Sequence, residues 1–358
     1  MKRSGYSILL QCISLRYIVT RADRARSRQD RESRRSRSEP GRGEQNRREK
    51  SIKKTAIVPA LVSLLVVAHL ALASSPKQQS APAAGSNGVR AEMLVSTKWL
   101  ADHLKDPNVV VLHLADNVSD YKRGHVPGAR YLAMKKIITD NGPISAELPT
   151  VDQLQKTFSE LGVGDNSRVV IYATNWFPSA ARAYFTLDYL GHGDKAALLD
   201  GGIEQWLAED RPVSGETPRF STATFTPHVH ENFRALLDEV KNDVEAKAGE
   251  EPEQIIDARP ARRYNAGHLG GASNVYWQDT LLSEENPVFQ SPEKLRAIYA
   301  SRGIVPGKKI VTYCEVGLQA SHGYFLAKYL GYDAAMYDGS YQEWSSKNMP
   351  VVKGEAKR

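Results

Sequence analysis

The feature of this sequence that most constrains its fold is an internal repeat. Three landmarks occur twice in the same order, and they are His125-x-x-Gly128-Ala129 with His268-x-x-Gly271-Ala272, Tyr189-Leu190-Gly191 with Tyr329-Leu330-Gly331, and Asp200-Gly201 to Trp206 with Asp338-Gly339 to Trp344. Ordered self-similarity of this kind indicates a duplicated structural unit. The chain is therefore expected to contain two tandem copies of one fold.

Each copy alternates short apolar runs with helical patterns. The expected strands are 109–114, 168–172 and 196–199 in the first copy, and 255–257, 309–313 and 335–337 in the second. The expected helices are 97–104, 151–161 and 179–190, followed by 233–247, 292–301 and 318–330. Because strands that alternate with helices pair in parallel and are covered on both faces, the pattern predicts an α/β fold with two such domains.

Composition divides the 358 residues into six segments. These are a basic extension that is disordered or wrongly assigned to the gene (1–54), a signal peptide or membrane anchor (55–73), a Ser/Pro/Ala-rich linker (74–91), the first copy (92–213), an interdomain linker (214–231) and the second copy (232–353). The extension holds 17 Lys and Arg against 6 Asp and Glu, whereas the rest of the chain is mildly acidic. Nothing in the folded part predicts nucleic-acid binding.

The apolar run at 56–73 follows Lys53-Lys54 and ends in Ala71-Leu72-Ala73. A basic region, an apolar stretch and a small-x-small ending are typical of a secretory signal peptide. The alternative is a single membrane anchor, because about 18 apolar residues approach the minimum span. Both interpretations predict export, with the periplasm as the expected compartment and membrane association only if the anchor is retained.

Cys314 is the candidate reactive residue. It follows the expected strand 309–313 and precedes the expected helix 318–330, so it should lie at the carboxyl edge of a sheet, where α/β proteins bind ligands. A helix N-terminus and loop amides favour a thiolate. Loss of Cys12 with the leader would leave Cys314 as a lone thiol, and an offset of 140 residues places Thr174 opposite it in the first copy. The alternative is a buried structural cysteine.

Taken together, these motifs resemble the tandem-domain rhodanese sulfurtransferases over about residues 92–352. The segments that carry the resemblance are 121–129, 200–206, 257–272, 313–321 and 338–344. The resemblance implies two five-stranded parallel α/β domains, with the active cysteine in the second domain on a loop that cradles an anion. It also implies that no metal or organic cofactor is needed.

The resemblance further implies a mechanism. The Cys314 thiolate would take sulfane sulfur from a small anionic donor such as thiosulfate, and a thiol or cyanide would accept it from the persulfide. The backbone amides expected to face the sulfur are those of Glu315, Val316, Gly317, Leu318 and Gln319. Glycine at the middle position permits the tight curvature of such a loop.

Other residues match family positions. Arg263 corresponds to an arginine that binds the donor anion, and a guanidinium suits a sulfonate or carboxylate. Asp257 and Arg259 are expected to form a structural pair near the domain interface. His125 and His268 are expected to fix their turns, although His125 also matches a histidine implicated in mercaptopyruvate enzymes and would then face the cleft.

The residues after Cys314 depart from the family pattern. Thiosulfate enzymes have Arg-Lys-Gly there and mercaptopyruvate enzymes Gly-Ser-Gly, whereas this chain has Glu315-Val316-Gly317. A carboxylate beside the thiol would raise its pKa and repel a dianionic donor, unless Glu315 points to solvent. The alternatives to a thiosulfate enzyme are therefore a 3-mercaptopyruvate sulfurtransferase and a non-catalytic persulfide carrier. A phosphatase-like relative is disfavoured because the loop contains no arginine.

Overall fold

The computed structural model describes residues 88–174, 176–247, 249–283 and 285–354. The expected extension at 1–54, the signal or anchor at 55–73 and nearly all of the linker at 74–91 lie outside these residues. Among the helices of the described ranges, none is long and apolar enough to cross a membrane.

The secondary structure repeats along the chain. The first repeat (94–208) contains β1 Leu94–Val95, α1 Thr97–His103, β2 Val109–Ala115, α2 Val118–Arg123, β3 Arg130–Ala133, β4 Thr139–Asn141, β5 Ile144–Glu147, α3 Val151–Glu160, β6 Arg168–Ala173, α4 Pro178–Tyr189, β7 Ala196–Leu199 and α5 Gly202–Ala208. The second repeat (234–346) contains β8 Arg234–Ala235, α6 Leu237–Glu245, β9 Gln254–Asp257, α7 Ala261–Ala266, β10 Ser273–Asn274, α8 Pro292–Ser301, β11 Ile310–Tyr313, α9 Leu318–Tyr329, β12 Ala334–Tyr337 and α10 Ser340–Ser346.

Each repeat is built on a five-stranded parallel sheet. The strand order is β1-β7-β6-β2-β3 in the first and β8-β12-β11-β9-β10 in the second, so corresponding strands occupy corresponding positions. The central strands β6 and β11 are buried along almost their whole length because helices cover both faces. The predicted α/β fold with two parallel sheets is confirmed.

Local sequence signals explain where several helices begin. The Ser96 side chain accepts a hydrogen bond from the Trp99 backbone and caps α1. Thr150 and Gln153 form a reciprocal capping box at the start of α3. Ser291 caps α8, and the following proline stands at the first helical position, where it is well tolerated.

The two repeats share one core through α4 and α9. Every residue of α4 is buried, and its Tyr184 and Phe185 rings meet the Phe325 and Tyr324 rings of α9 edge to face, with centroids 4.9 and 5.0 Å apart. In α9 only Gln319 and Lys328 are partly exposed, so neither helix has a broad polar face. The contact joins buried residues of both repeats in one hydrophobic core.

The expected helix at 233–247 begins later than predicted. It starts at Leu237, and Arg234–Ala235 instead pairs in parallel with Met336 and Tyr337 as the edge strand β8. A pairing partner about 100 residues away cannot be inferred from helical periodicity. Of residues 214–231, expected to be a linker, only Glu231 lies in a helix, the short 3-10 helix Glu231–Phe233.

The counterpart of Cys314 also differs from the expected Thr174. The Tyr172 hydroxyl accepts the Val126 amide, and the Tyr313 hydroxyl accepts the Leu269 amide, so the two tyrosines occupy the same position in their sheets. Cys314 therefore aligns with Ala173. Five residues separate Tyr172 from α4 and four separate Tyr313 from α9, so counting back from the two helices shifts the register by one.

Candidate active site

Cys314 is the first residue after β11, at the carboxyl edge of the second sheet. Four residues separate the end of the strand from α9, and the last of them, Gly317, has a left-handed backbone (φ 80°). This conformation turns the chain sharply enough for the first amides of α9 to face back towards the cysteine, and glycine adopts it without a steric penalty. The predicted order of strand, cysteine, loop and helix is confirmed.

The backbone of the loop is held by the start of α10. The Cys314 amide donates to the Ser340 hydroxyl (3.2 Å), and the Tyr341 amide donates to the Cys314 carbonyl (3.0 Å). The Gln342 amide donates to the Glu315 carbonyl (3.0 Å). Three successive residues of one helix therefore fix two successive residues of the loop.

The thiol of Cys314 is enclosed, with 1% of the residue exposed. Burial raises its pKa above the ordinary value, while hydrogen bonds from the backbone amides of Ala320, Val316 and Gln319 lower it. The amides thus favour the thiolate as expected, but burial is the larger effect and the pKa of Cys314 is raised on balance. Val316 and Gln319 belong to the predicted set of amides, and Ala320 extends that set by one residue.

Glu315 does not act on the thiol as expected. Its carboxylate is 3.4 Å from the Arg259 guanidinium, and its side chain is 45% exposed. The carboxylate that raises the pKa of Cys314 is instead that of Asp257, as a smaller effect than burial. The argument that Glu315 repels a dianionic donor is correspondingly weakened, because a cation faces it.

Asp257 and Arg259 form the expected ion pair, with Arg259 Nη2 2.6 Å from Asp257 Oδ2. The same guanidinium donates to the Gly267 carbonyl (2.7 Å) and lies 4.1 Å from the centroid of the Tyr341 ring. The Tyr313 hydroxyl donates to Asp257 (2.6 Å). The pair thus joins β9, the turn before β10 and the catalytic loop within the second repeat.

Arg263 and His125 lie in different environments. Arg263 is exposed in the last turn of α7. His125 is 0% exposed, and its ring nitrogens face the carbonyl oxygens of Tyr121 (2.9 Å) and Glu216 (3.0 Å). The histidine ring also stacks on Tyr121, as the His268 ring does on Tyr264. Both histidines therefore hold their turns, and His125 does not face the cleft.

The first repeat covers the catalytic loop with apolar side chains. Val316 and Leu318 form a buried cluster with Ala146 at the end of the β4–β5 hairpin, and Met134, Ile138 and Trp176 pack against it. The expectation that the first copy supplies one wall of the site agrees with this packing. The loop therefore has a polar side at Glu315 and an apolar side at Val316.

Two functional contacts were missed in the sequence. Ser340, directly after Asp338-Gly339, accepts the amide of Cys314, and Arg182 of α4 reaches Asp338 across the two repeats. The sequence signal for Ser340 was its position directly after the repeated Asp-Gly motif. The signal for Arg182 was a cation inside an otherwise apolar helical pattern, since such a residue needs a buried partner.

Comparison with known proteins identifies relatives of the whole described region. The family model described as rhodanese-like domain matches residues 96–209 and 238–347. The sulfur carrier protein TtuD of Thermus thermophilus is 34% identical over 288 residues, which are 74% of this chain and 98% of that protein. A putative thiosulfate sulfurtransferase of Mycolicibacterium smegmatis is 34% identical over 273 residues, covering 72% and 96%.

Among solved structures, the 3-mercaptopyruvate sulfotransferase SseA of Escherichia coli matches with a TM-score of 0.62 at 26% identity, covering 70% of this chain and 98% of that one.

Proposed function

Because the chain belongs to the rhodanese family of sulfurtransferases, we propose that Cys314 carries the transferred sulfur as a persulfide and that thiosulfate or a related sulfane-sulfur compound is the donor. The observation that carries this proposal is the loop between β11 and α9. Its amides from Val316, Gln319 and Ala320 hydrogen-bond to Cys314, and such donors stabilise a thiolate or an anionic persulfide.

The first half-reaction transfers sulfur to the enzyme. The Cys314 thiolate attacks the outer sulfur of thiosulfate, a sulfur–sulfur bond forms, and the bond within the donor breaks. Sulfite leaves with the electron pair of that bond, so no external oxidant or reductant is needed. The amides facing Cys314 hold the negative charge on the cysteine side throughout the step.

The second half-reaction returns the enzyme to its starting form. Cyanide or a thiolate attacks the outer sulfur of the persulfide, and Cys314 leaves as a thiolate with the electron pair of the cleaved bond. The product is thiocyanate or an acceptor persulfide. Since the leaving thiolate is the species that the loop amides stabilise, one loop serves both half-reactions.

One residue and the names of the relatives support thiosulfate over 3-mercaptopyruvate as the donor. Val316 stands where the mercaptopyruvate pattern has serine, and its side chain is packed against Ala146, which leaves no hydroxyl there to relay a proton. Curated relatives that cover nearly the same length are named putative thiosulfate sulfurtransferases.

A second candidate function is persulfide storage without turnover. The relative in Thermus thermophilus is named a sulfur carrier protein, and the 1% exposure of Cys314 would protect a bound persulfide from solvent. Both candidates share the first half-reaction. They differ in whether a small acceptor completes the second.

The test of the proposal is intact-mass analysis after donor treatment, followed by a turnover assay. Thiosulfate should add about 32 Da, the mass of one sulfur atom, and cyanide should remove it with steady production of thiocyanate. The Cys314→Ser variant is the control and should do neither. Loading without turnover would establish the carrier function, and no adduct with thiosulfate, mercaptopyruvate or polysulfide would exclude both.

We also propose that the protein is exported, because the apolar run at 56–73 follows Lys53-Lys54 and ends in Ala71-Leu72-Ala73. The same mass spectrum tests this proposal when the protein is isolated from cells that make the full chain. A mass matching a start just after residue 73 would support cleavage, and a mass that includes residues 55–73 would support a retained anchor.

A further inference from the structure

A buried arginine of the first repeat lies against the catalytic loop of the second. Arg182 belongs to α4 and is 0% exposed. Its Nη1 is 2.5 Å from Asp338 Oδ1 and its Nη2 3.3 Å from Asp338 Oδ2, while Nη2 also donates to the Ala146 carbonyl (2.8 Å). A charge so far from water is tolerated only with partners of this kind.

Asp338 connects this arginine to the active site. Its Oδ2 also accepts the Leu148 amide of the first repeat (2.8 Å), so the carboxylate is held from both of its oxygens. Two and three residues later, Ser340 and Tyr341 make the hydrogen bonds that hold the backbone of Cys314. A displacement of Asp338 would therefore move Ser340 and Tyr341, and with them the backbone of Cys314.

The ion pair also touches Gly317. A methyl group placed on Gly317 would lie 2.7 Å from Asp338 Oδ1 and 3.3 Å from Arg182 Nη1. The left-handed turn at Gly317 directs the amides of α9 towards the thiol, and the pair forms the surface on which that turn rests. The other charged neighbours are Arg234, 4.0 Å from Asp338, and Glu147, which pairs with Arg234 at 3.1 Å.

The repeat itself provides a comparison. Asp200, the counterpart of Asp338, accepts the Phe289 amide of the second repeat (3.0 Å), just as Asp338 accepts that of Leu148. The offset of 140 residues places His322 where the first repeat has Arg182, and His322 is hydrogen-bonded to Thr280 (2.7 Å). The ion pair between Arg182 and Asp338 thus lies beside the thiol. At the corresponding place in the other half, Asp200 accepts a backbone amide and a histidine stands in place of the arginine.

We propose that Arg182 is a positioning residue for sulfur transfer: through Asp338 and Gly317 it sets the direction in which the loop amides meet Cys314, so that the first repeat completes the active site of the second. This inference rests on the proposed function only in that Cys314 is the reacting thiol. It explains why a repeat without a thiol contributes to the chemistry of its partner.

The experiment compares charge removal on the two sides. Arg182→Met combined with Asp338→Asn removes both charges and keeps an acceptor for the Leu148 amide, so the variant should fold, since a buried pair can be replaced with little loss of stability. Asp200→Asn is the matched control on the other side. Arg182→Lys keeps the charge but not the fork that spans both carboxylate oxygens.

Two readouts separate positioning from stability. The first is the pH dependence of alkylation of Cys314 by iodoacetamide, which reports the thiol pKa, and the second is the rate of persulfide formation. The double variant should shift the alkylation midpoint upward by about one pH unit and slow persulfide formation about tenfold. Arg182→Lys should recover part of both, and Asp200→Asn should change each less than about twofold.

A folded double variant with the wild-type alkylation midpoint would overturn the proposal, as would equal shifts in Asp200→Asn. If the double variant does not fold, Arg182→Lys decides, because an unchanged midpoint and rate in that variant would also overturn it. Failure of the proposed function gives a different result: the wild type would form no persulfide with any donor, while the alkylation midpoints would still report the positioning effect.

Discussion

At the scale of single residues, Ser340 shows what the active site demands of the backbone. Ser340 has a left-handed conformation (φ 53°), and its counterpart in the first repeat, Gly202, has the same conformation (φ 56°). A side chain makes this conformation costly by roughly 1–2 kcal/mol. The second repeat nevertheless carries serine, whose hydroxyl accepts the Cys314 amide and donates to the Tyr337 carbonyl. Strain of this kind is found at functional sites.

Two substitutions should separate the strain from the hydrogen bonds. Ser340→Gly relieves the backbone and loses the hydroxyl, so the free energy of unfolding should change by less than about 1 kcal/mol. Ser340→Ala keeps the strain and loses the same bonds, so it should be destabilised by about 1–2 kcal/mol. Both should slow persulfide formation several-fold. Urea unfolding with single-turnover kinetics would check this, and an alanine variant more stable than the glycine variant would contradict it.

The sequence was informative about Cys314 because its position depends on local pattern alone. An apolar run followed by a cysteine and a helical pattern defines the edge of a sheet without knowledge of the rest of the fold. The pKa of the thiol depends on burial instead, and burial is produced by residues of the other repeat. The direction of that shift was therefore beyond a reading of the loop sequence.

At the scale of secondary-structure elements, the β4–β5 hairpin joins the first repeat to the catalytic loop. The Ser145 amide donates to the Gln342 side chain (2.8 Å) of α10, and the Leu148 amide just beyond the hairpin donates to Asp338. Ala146 lies between these two bonds and packs on Val316 and Leu318. The hairpin therefore forms the cover of the thiol.

Removal of one of these hydrogen bonds should make the β4–β5 hairpin pack less tightly over Cys314. Gln342→Ala should lower the free energy of unfolding by about 1 kcal/mol and increase the reaction of Cys314 with a bulky maleimide relative to iodoacetamide. The ratio of the two alkylation rates measures this. Gln254→Ala is the control, since its amide bonds the loop at Val305 and Lys308 away from the hairpin. An equal change of the ratio in both variants would show that the hairpin does not limit access.

Helices were easier to predict than edge strands. The helix Pro292–Ser301 and the strand Ala196–Leu199 have the predicted bounds, because caps, prolines and apolar runs mark them locally. The strands Leu94–Val95, Arg234–Ala235 and Ser273–Asn274 contain two residues each, too few for any periodicity. Only their distant partners define them, so a single-sequence reading misses them or, as at 234–235, assigns them to a neighbouring helix.

At the scale of the whole molecule, each repeat buries a histidine whose pKa lies far below its ordinary value. His113 and His322 are each 0% exposed, and burial lowers the pKa of each to about 3. Each is hydrogen-bonded to a threonine, Thr174 and Thr280 respectively. Neither ring can be protonated in the folded state at mildly acidic pH, whereas both can be in the unfolded chain.

Stability should therefore fall on acidification. Below the ordinary histidine pKa near 6.5 the unfolded state binds protons that the folded state does not, so the free energy of unfolding should fall by roughly 1.4 kcal/mol per pH unit for each histidine until about pH 3. Urea unfolding at pH 7.5, 6 and 5 measures the slope. His322→Gln, which keeps a hydrogen-bonding side chain, should remove about half of it; an unchanged slope would contradict the assignment.

The tandem arrangement itself was predictable, since three paired motifs specify two copies of one unit. The contacts between the copies were not, because they join residues such as Arg182 and Asp338 that no local pattern relates. The same holds for the one-residue difference between the spacing from Tyr172 to α4 and the spacing from Tyr313 to α9. Such details follow from packing between the sheets rather than from either repeat alone.

The short segments that enter each repeat have a further consequence. The Arg90 amide, just before the first repeat, donates to Tyr329 of the second, and the His230 amide, just before the second repeat, donates to Tyr189 of the first. The segment before each repeat thus hydrogen-bonds to the other repeat, as N-terminal segments do between the subunits of some two-fold symmetric homodimers. In such a homodimer every substitution would occur in both subunits, because they share one sequence. Because the two repeats are parts of one chain, each can be substituted independently of the other. One repeat can therefore keep the nucleophile while the other provides residues that position it.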